Sequence, residues 1–292
     1  MTYNDIEKAK IYTLIVNDSG YTQSLLYGLH GVSFLIDVET KKERKRILFD
    51  TGQSAEPILH NMKILGLDPQ TIDMIFLSHC HYDHTKGLVG MLKAIKKDNI
   101  PIIAHPDIFR ECMDLDSSIK IKGITNENSE KKIREEGGHL LLVDSPFSLM
   151  DGVISTGEIE DRYDFEDVSS NKYTIENGNI VEDRTPDDMS LILKFSNGIV
   201  VVSGCSHAGI VSIVRKAVKV TDKSNVKGVI GGFHLLNSNM ERIETTKNKF
   251  QEFGVKKVYA GHCTGLRAES TFQKNWKENF EKLQCGKIFE FS

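Results

Sequence analysis

The chain has 292 residues, 37 Lys and Arg against 41 Asp and Glu, a formal net charge of −4 and 39% hydrophobic residues. That length is ample for a buried core, and that composition excludes wholesale disorder. The near-neutral balance gives no electrostatic reason to expect nucleic acid or an anionic membrane as partner, and no apolar run reaches the roughly 20 residues that span a bilayer.

In chain order, residues 11–16, 32–38 and 47–50 read as strands, the third running into Thr51-Gly52. Residues 54–65 carry Ile58, Leu59, Met62 and Leu65 at helical spacing, with Ser54 as N-cap and Gly66 as stop. Residues 72–77 form a short apolar run expected to be a buried strand, followed by a helix over 85–97 and a strand over 101–104. Residues 110–140 are charged and weakly periodic, so surface helix and loop are expected. Residues 158–188 are polar and acidic, with a hairpin signal at Asn177-Gly178; a lid or specificity insert suits them better than a bare loop. The second half alternates again: a hairpin of 190–195 and 198–203, a helix over 208–220, a strand over 226–230, a helix over 240–253 and a strand over 256–260. A helix over 268–283 and a strand over 287–291 close the chain. This order predicts two sheets covered by helices within one domain spanning 1–292, with polar inserts near 110–140 and 158–188.

The polar N-terminus, residues 1–10, lacks the apolar centre of a signal peptide. Cys80, Cys112, Cys205, Cys263 and Cys285 are odd in number and form no C-x-x-C, so reduced thiols and a cytoplasmic location are expected. Chemistry concentrates in Ser78-His79-Cys80-His81-Tyr82-Asp83-His84, directly after the apolar strand. Buried together without a metal, these imidazoles and this carboxylate would need many mutual hydrogen bonds. On extended backbone His79, His81 and Asp83 share one face while His84 turns to another, which splits the donors into two subsets for two adjacent metals.

The pattern His79-x-His81-x-Asp83-His84 resembles the metallo-β-lactamase superfamily. The resemblance implies a four-layered αββα sandwich, with His79 and His81 serving one metal and Asp83 and His84 the other. Residues 47–52, ending in Asp50-Thr51-Gly52, look like the family's early strand, whose Asp supports the ligands; that role falls on Asp50. Cys205 stands where the family usually has a bridging Asp, and a thiolate suits zinc or iron. His262, ending Val258-Tyr-Ala-Gly-His262, matches the last ligand. Glu158 occupies the place of a further His, as a ligand or a solvated carboxylate. Motifs around His30, Phe49, Thr156, Ser203, Gly231 and Gly261 are similar to a narrower subfamily of metal-dependent hydrolases. That subfamily includes archaeal enzymes that join dihydropterin-methyl diphosphate to a ribofuranosylaminobenzene phosphate.

Among the other histidines, His207 lies where a strand turns into a helix, and residues 205–208 are a candidate phosphate cradle at that helix N-terminus. His207 is read as a ligand, a leaving-group acid or a phosphate contact, and His234 as facing the same cleft; a hydrogen-bonded loop histidine is the plain alternative for both. His30 is left open. His60, His105 and His139 read as surface or capping residues, Lys86 as solvated and Cys80 as packing.

The leading expectation is a metal-dependent hydrolase acting on a small, phosphorylated or ester substrate. A divalent cation acidifies a bound water, Asp83 orients it and takes its proton, and His207 or His234 serves the leaving group. One or two cations are expected, zinc first, with iron, manganese or magnesium as alternatives. The first alternative is the pterin transferase, in which an aromatic carbon or amine attacks the pterin methylene and no water takes part. A non-catalytic metal-holding or sensing module is the second, and a Cys205–His207 nucleophile pair a further one. A nuclease is disfavoured by the acidic balance. The expected partner is a small molecule, with neither nucleic acid nor membrane, and a homo-oligomer is left open.

Overall fold

The computed structural model describes residues 5–22, 24–166 and 171–292; residues 1–4 of the polar N-terminus and 167–170 of the second insert lie outside them. Two seven-stranded sheets stack face to face. The first orders its strands Ile288–Phe291, Lys8–Ile15, Ser33–Glu39, Arg44–Phe49, Met74–Phe76, Ile100–Ala104 and Gly138–Leu142. The second orders Phe280–Lys282, Val258–Gly261, Val226–Gly232, Gly198–Val202, Leu191–Phe195, Val153–Ser155 and Phe147–Met150. Seven helices follow the chain as α1 (Ala55–Ile64), α2 (Tyr82–Thr85), α3 (Leu88–Ile95), α4 (Glu130–Glu135), α5 (Ile210–Thr221), α6 (Met240–Glu252) and α7 (Leu266–Trp276).

Strand alternation builds the layers. Phe34, Ile36 and Val38 point inward to meet Val200, Val202 and Leu193 of the facing sheet, forming the central core. Their neighbours Leu35 and Leu48 point outward and pack under α1 and α3 with Ile58, Met62, Leu88 and Leu92. On the other side Ile199 and Val201 meet Ile210, Val214, Phe250 and Phe272 from α5, α6 and α7. Each fully buried large apolar side chain contributes roughly 1.5–3 kcal/mol by area, before chain entropy is counted. Helix, sheet, sheet, helix is the αββα order expected from the sequence.

Two expectations change. Residues 110–140 are not only surface helix and loop: Gly138–Leu142 is the edge strand of the first sheet, paired in parallel with Ile100–Ala104. The last helix stops at Trp276, because Lys277 adopts φ +52, and Phe280–Lys282 joins the second sheet instead. Both polar inserts contribute to a separate four-stranded sheet ordered Asn179–Glu182, Lys172–Glu176, Met113–Leu115 and Ile119–Ile121. Among the described residues no helix is long and apolar enough to cross a membrane.

Strand direction places the site. Arg44–Phe49 runs parallel to Met74–Phe76, and Gly198–Val202, Val226–Gly232 and Val258–Gly261 run parallel to one another. The loops leaving the C-terminal ends of these five strands carry Asp50, the 78–84 segment, Cys205 with His207, His234 and His262. Carboxyl ends of parallel strands are where open α/β sheets present ligand-binding groups.

Candidate metal centre

Two groups of donor atoms converge where these loops meet. Asp83, His84, Cys205 and His262 form one, and His79, Cys205 and His207 the other, with the ligand atoms of each group within 4.8 Å of one another. In the first, Cys205 Sγ lies 3.1 Å from His84 Nε2 and 3.2 Å from His262 Nε2, and Asp83 Oδ2 lies 3.3 Å from His262 Nε2. In the second, His81 Nδ1 lies 3.1 Å from His79 Nε2, and the His207 ring stands edge-on to both His79 and His81. His234 packs against His207 with ring centroids 4.2 Å apart and the planes tilted by 50°.

The donor split differs in origin from the extended-strand expectation. The chain turns helical at Tyr82, so Asp83 does not continue the face of His79 and His81. It swings with His84 toward Cys205 and His262. Glu158 is brought to neither group: its carboxylate lies 3.8 Å from His105 Nε2, and its backbone N–H is held by Asp144 O after the turn at Gly157, φ +63. The structure supplies His207 as the third imidazole in its stead.

Outer partners fix which nitrogen faces inward. Asp50 Oδ2 accepts from His84 Nδ1 at 2.6 Å and from Ser78 Oγ at 2.7 Å, and Ser78 Oγ in turn accepts from His79 Nδ1 at 2.8 Å. Asn17 Oδ1 accepts from His262 Nδ1 at 2.8 Å. All three rings therefore present Nε2 to the interior, the arrangement in which an imidazole is ready to ligate. A Cβ on Gly204 would collide with Ser78 Oγ, so this relay needs glycine there. Asp50, Ser206, His234 and His262 all adopt positive φ, which concentrates backbone strain at the site.

Electrostatics separate the two groups. Burial pushes His79 and His207 well below the usual imidazole range and His81 down to about 3, so these rings are neutral. Burial works against the His84 imidazolium as well, but Asp83 and Asp50 outweigh it and push the pKa up to about 9. Burial also opposes ionisation of Asp83, and His84 and His262 outweigh it, holding the carboxyl well below its usual range. The Cys205 thiol is pushed up by burial.

A fit test for a cation follows from these atoms. His81 Nε2, His207 Nε2 and His234 Nδ1 are buried without a hydrogen-bond partner among the described residues, and orphaned buried nitrogens are costly unless something completes them. Imidazole, carboxylate and thiol donors in this density suit a divalent metal, so the residues fit the group.

Several contributors escape sequence reasoning. Asp187 accepts from the Cys80 N–H at 2.6 Å between His79 and His81, and Arg110 Nη1 pairs with the same carboxylate at 2.6 Å, tying the insert sheet to the ligand loop. Asp188 accepts from the Ala208 N–H at 2.7 Å, and burial raises its pKa to about 7. His30, left open above, places Nε2 3.3 Å from Asp83 Oδ2. Cys112, without a partner in the sequence, lies beside Cys80 and His81. His105 caps the following turn through Asp107 N but is buried, not a surface residue.

The phosphate cradle expected at residues 205–208 is taken at its Ala208 end by an internal carboxylate. Glu166 accepts from Val211 N, Ser212 N and Ser212 Oγ at the start of α5, while Asp188 holds Ala208 N. Two internal carboxylates thus take the N–H groups of Ala208, Val211 and Ser212. An open cavity of about 690 Å³ lies instead beside His234 and Cys263, walled by Phe165, Ser238, Arg242 and Thr245.

Comparison with known proteins bears on this geometry. The model of the metallo-beta-lactamase superfamily matches residues 26–207. The chain is 45% identical to the 7,8-dihydropterin-6-methyl-4-(beta-D-ribofuranosyl)-aminobenzene-5'-phosphate synthase of Methanocaldococcus jannaschii, over 100% of this chain and 99% of that protein. It is 32% identical to an uncharacterized protein of the same organism, over 94% of this chain and 98% of that one. A crystal structure described as a metal-dependent hydrolase of the beta-lactamase superfamily superposes with a TM-score of 0.80 at 25% identity, covering 97% of this chain and 99% of that chain.

Proposed function

From a chain that belongs to the metallo-beta-lactamase superfamily, we propose an enzyme that joins a dihydropterin-methyl diphosphate to a ribofuranosylaminobenzene phosphate and releases diphosphate. The observation that carries the reading is the likeness to the archaeal synthase. It spans the whole chain, so it takes in His234, His262 and the cavity wall, which the family match ending at residue 207 leaves out. The leading expectation from the sequence was hydrolysis; the likeness moves transfer ahead of it.

In this reading His79, His81 and His207 would hold one divalent cation and Asp83, His84 and His262 a second, with Cys205 within reach of both, and with zinc first by donor chemistry and iron or manganese next. Bound there, the metal supplies positive charge that draws electron density toward the diphosphate leaving group. The chain's own residues do the rest. Asp50, directly and through Ser78, holds the His84 and His79 rings in one tautomer. Asp187 and Asp188 fix the two loops that carry His81 and His207. As the acceptor amine forms its bond to the pterin methylene, the C–O bond to diphosphate breaks and the amine loses a proton. His234, with Nδ1 free and its side at the cavity, takes that proton. We read the chain as one domain in which both inserts frame this cleft, and its five unbridged cysteines support a cytoplasmic location.

Hydrolysis is the second reading, favoured by the full-length structural likeness to a metal-dependent hydrolase. One experiment separates them. The metal-loaded protein is given the pterin diphosphate with and without the aminobenzene acceptor, and released diphosphate and coupled product are both quantified. Release that depends on the acceptor and matches product one for one is expected. Equal release without the acceptor would establish hydrolysis and overturn the transferase reading.

A further inference from the structure

The cavity beside His234 holds a charge that no described residue pairs with. Arg242 Nε is buried without a hydrogen-bond partner, and its guanidinium forms no ion pair within 4.0 Å among the described residues. Glu166 is the acid whose field reaches it, yet both Glu166 oxygens are committed to Val211 and Ser212 at the start of α5. Arg242 also sits in the first turn of α6, a helix of 13 residues, where the positive end of the helix dipole makes a cation unfavourable and an anion favourable. A half-buried guanidinium whose Nε lacks a partner is left short of hydrogen bonds, and its planar fork of donors matches a phosphate.

The cavity connects this cation to the chemistry. His234 and Cys263 line it together with Arg242. His234 packs at a tilt against His207, and Cys263 Sγ donates to Cys205 O at 3.4 Å, so one wall of the cavity is the back of the ligand set. Ser238 and Thr245 add hydroxyls, Glu241 adds a carboxylate able to accept from sugar hydroxyls, and Phe165 offers a ring face. The helix N-terminus at α5, the other place for an anion, is closed by Glu166.

We propose that this cavity binds the sugar 5'-phosphate of the acceptor substrate, with Arg242 pairing the phosphate monoester. The assignment rests on the transferase reading for the name of the acceptor, and on the cavity alone for the chemical class. The diphosphate of the other substrate goes to the cation-holding cluster, so the monoester is the anion left to be met, and Arg242 is the cation placed to meet it. A specificity follows: the phosphorylated acceptor is preferred to its riboside, and the preference resides in Arg242.

The test uses the full metal-loaded chain as wild type, Arg242→Gln and Thr245→Glu. The second variant introduces a repelling carboxylate into the same cavity from a half-buried helix position and leaves Arg242 in place. Calorimetry with ribose 5-phosphate, with ribose and with inorganic phosphate reads binding without turnover. Wild type is expected to bind ribose 5-phosphate at least tenfold tighter than ribose, with inorganic phosphate competing, and both variants to lose about tenfold or more of that affinity. In the coupled assay, discrimination between the phosphorylated acceptor and its riboside falls toward one in both variants. Equal affinity for ribose 5-phosphate in wild type and both variants, or no binding by wild type, would overturn the assignment. Coupled product with unchanged discrimination in both variants refutes the cavity while leaving the transferase reading intact. Lost ribose 5-phosphate binding in the variants, with no coupled product from wild type, upholds the cavity and removes the transferase reading.

Discussion

The two donor groups differ in how they tolerate burial. Asp83, His84, Cys205 and His262 neutralise one another: a carboxylate lies against imidazoles, and a thiol sits between two of them. His79, His81 and His207 form no ion pair with a carboxylate among the described residues, and burial leaves these three as neutral rings; three unpartnered nitrogens lie among His81, His207 and the neighbouring His234. A protein that packs four imidazoles without an acid among them has a pocket ready for a cation at neutral pH. A protein that packs an acid, an imidazolium and a thiol has one that must first shed protons. The same fold edge thus holds one pocket prepared for metal and one in competition with its own hydrogen bonds.

Cys205 is the point at which this contrast can be broken most severely, because it belongs to both groups. Cys205→Ser is expected to lower metal content in both pockets and to cut activity by more than about a hundredfold, since even outer-partner losses cost 10–100-fold. Elemental analysis beside His81→Ala checks it; a loss confined to one metal in Cys205→Ser would return the cysteine to a single pocket. Asp50→Asn comes next. Its carboxylate serves His84 directly and His79 through Ser78, so both pockets should weaken by about 10–100-fold in a chelator competition. Weakening of one pocket alone would show that the Ser78 relay carries no coupling.

How much of this was legible follows from where each residue lies in the chain. His79, His81, Asp83 and His84 fall within six positions after an apolar strand, and their density announced them. The αββα order was readable because strands such as Gly198–Val202 are buried on both faces and show as continuous apolar runs. Asp187, Asp188 and Glu166 could not be found that way. Each acts on a backbone N–H of a distant loop, and a single acid in a polar insert looks the same whether it is solvated or caps α5. Glu158, left open between a ligand and a solvated carboxylate, shows a related limit: motif order alone does not give direction, and the turn at Gly157 and the hold of Asp144 O on its N–H aim the carboxylate at His105. Asp83 shows the same limit, since an extended backbone was assumed where α2 begins.

The pH dependence of metal loading sharpens the contrast at moderate size. His81, at about 3, is already deprotonated at neutral pH, and the lowered pKa values of His79 and His207 put them in the same state. These three imidazoles should therefore release no protons of their own when zinc binds between pH 6 and pH 8. His84 keeps its proton up to about 9, and Cys205 keeps its thiol proton higher still, so ligation there releases both. The affinity of that pocket should rise with pH, by up to on the order of a hundredfold per unit while two protons are displaced, and level off as pH passes those values. Proton release measured alongside zinc titration in two buffers decides it. Equal release from both pockets would erase the difference between them.

The smallest expected effect is at Glu158. Its carboxylate reaches neither pocket, is about one third exposed and meets His105 at 3.8 Å. Glu158→Ala should therefore leave metal content unchanged and activity within about twofold, as for a surface substitution away from special features. His207→Ala is its opposite: it should empty the imidazole pocket while the Asp83 pocket keeps its metal. The pair of variants tests which side chain completes the His79 and His81 set. If Glu158→Ala lost a metal and His207→Ala kept both, the third donor would be the carboxylate, and the neutral character of that pocket would fail with it.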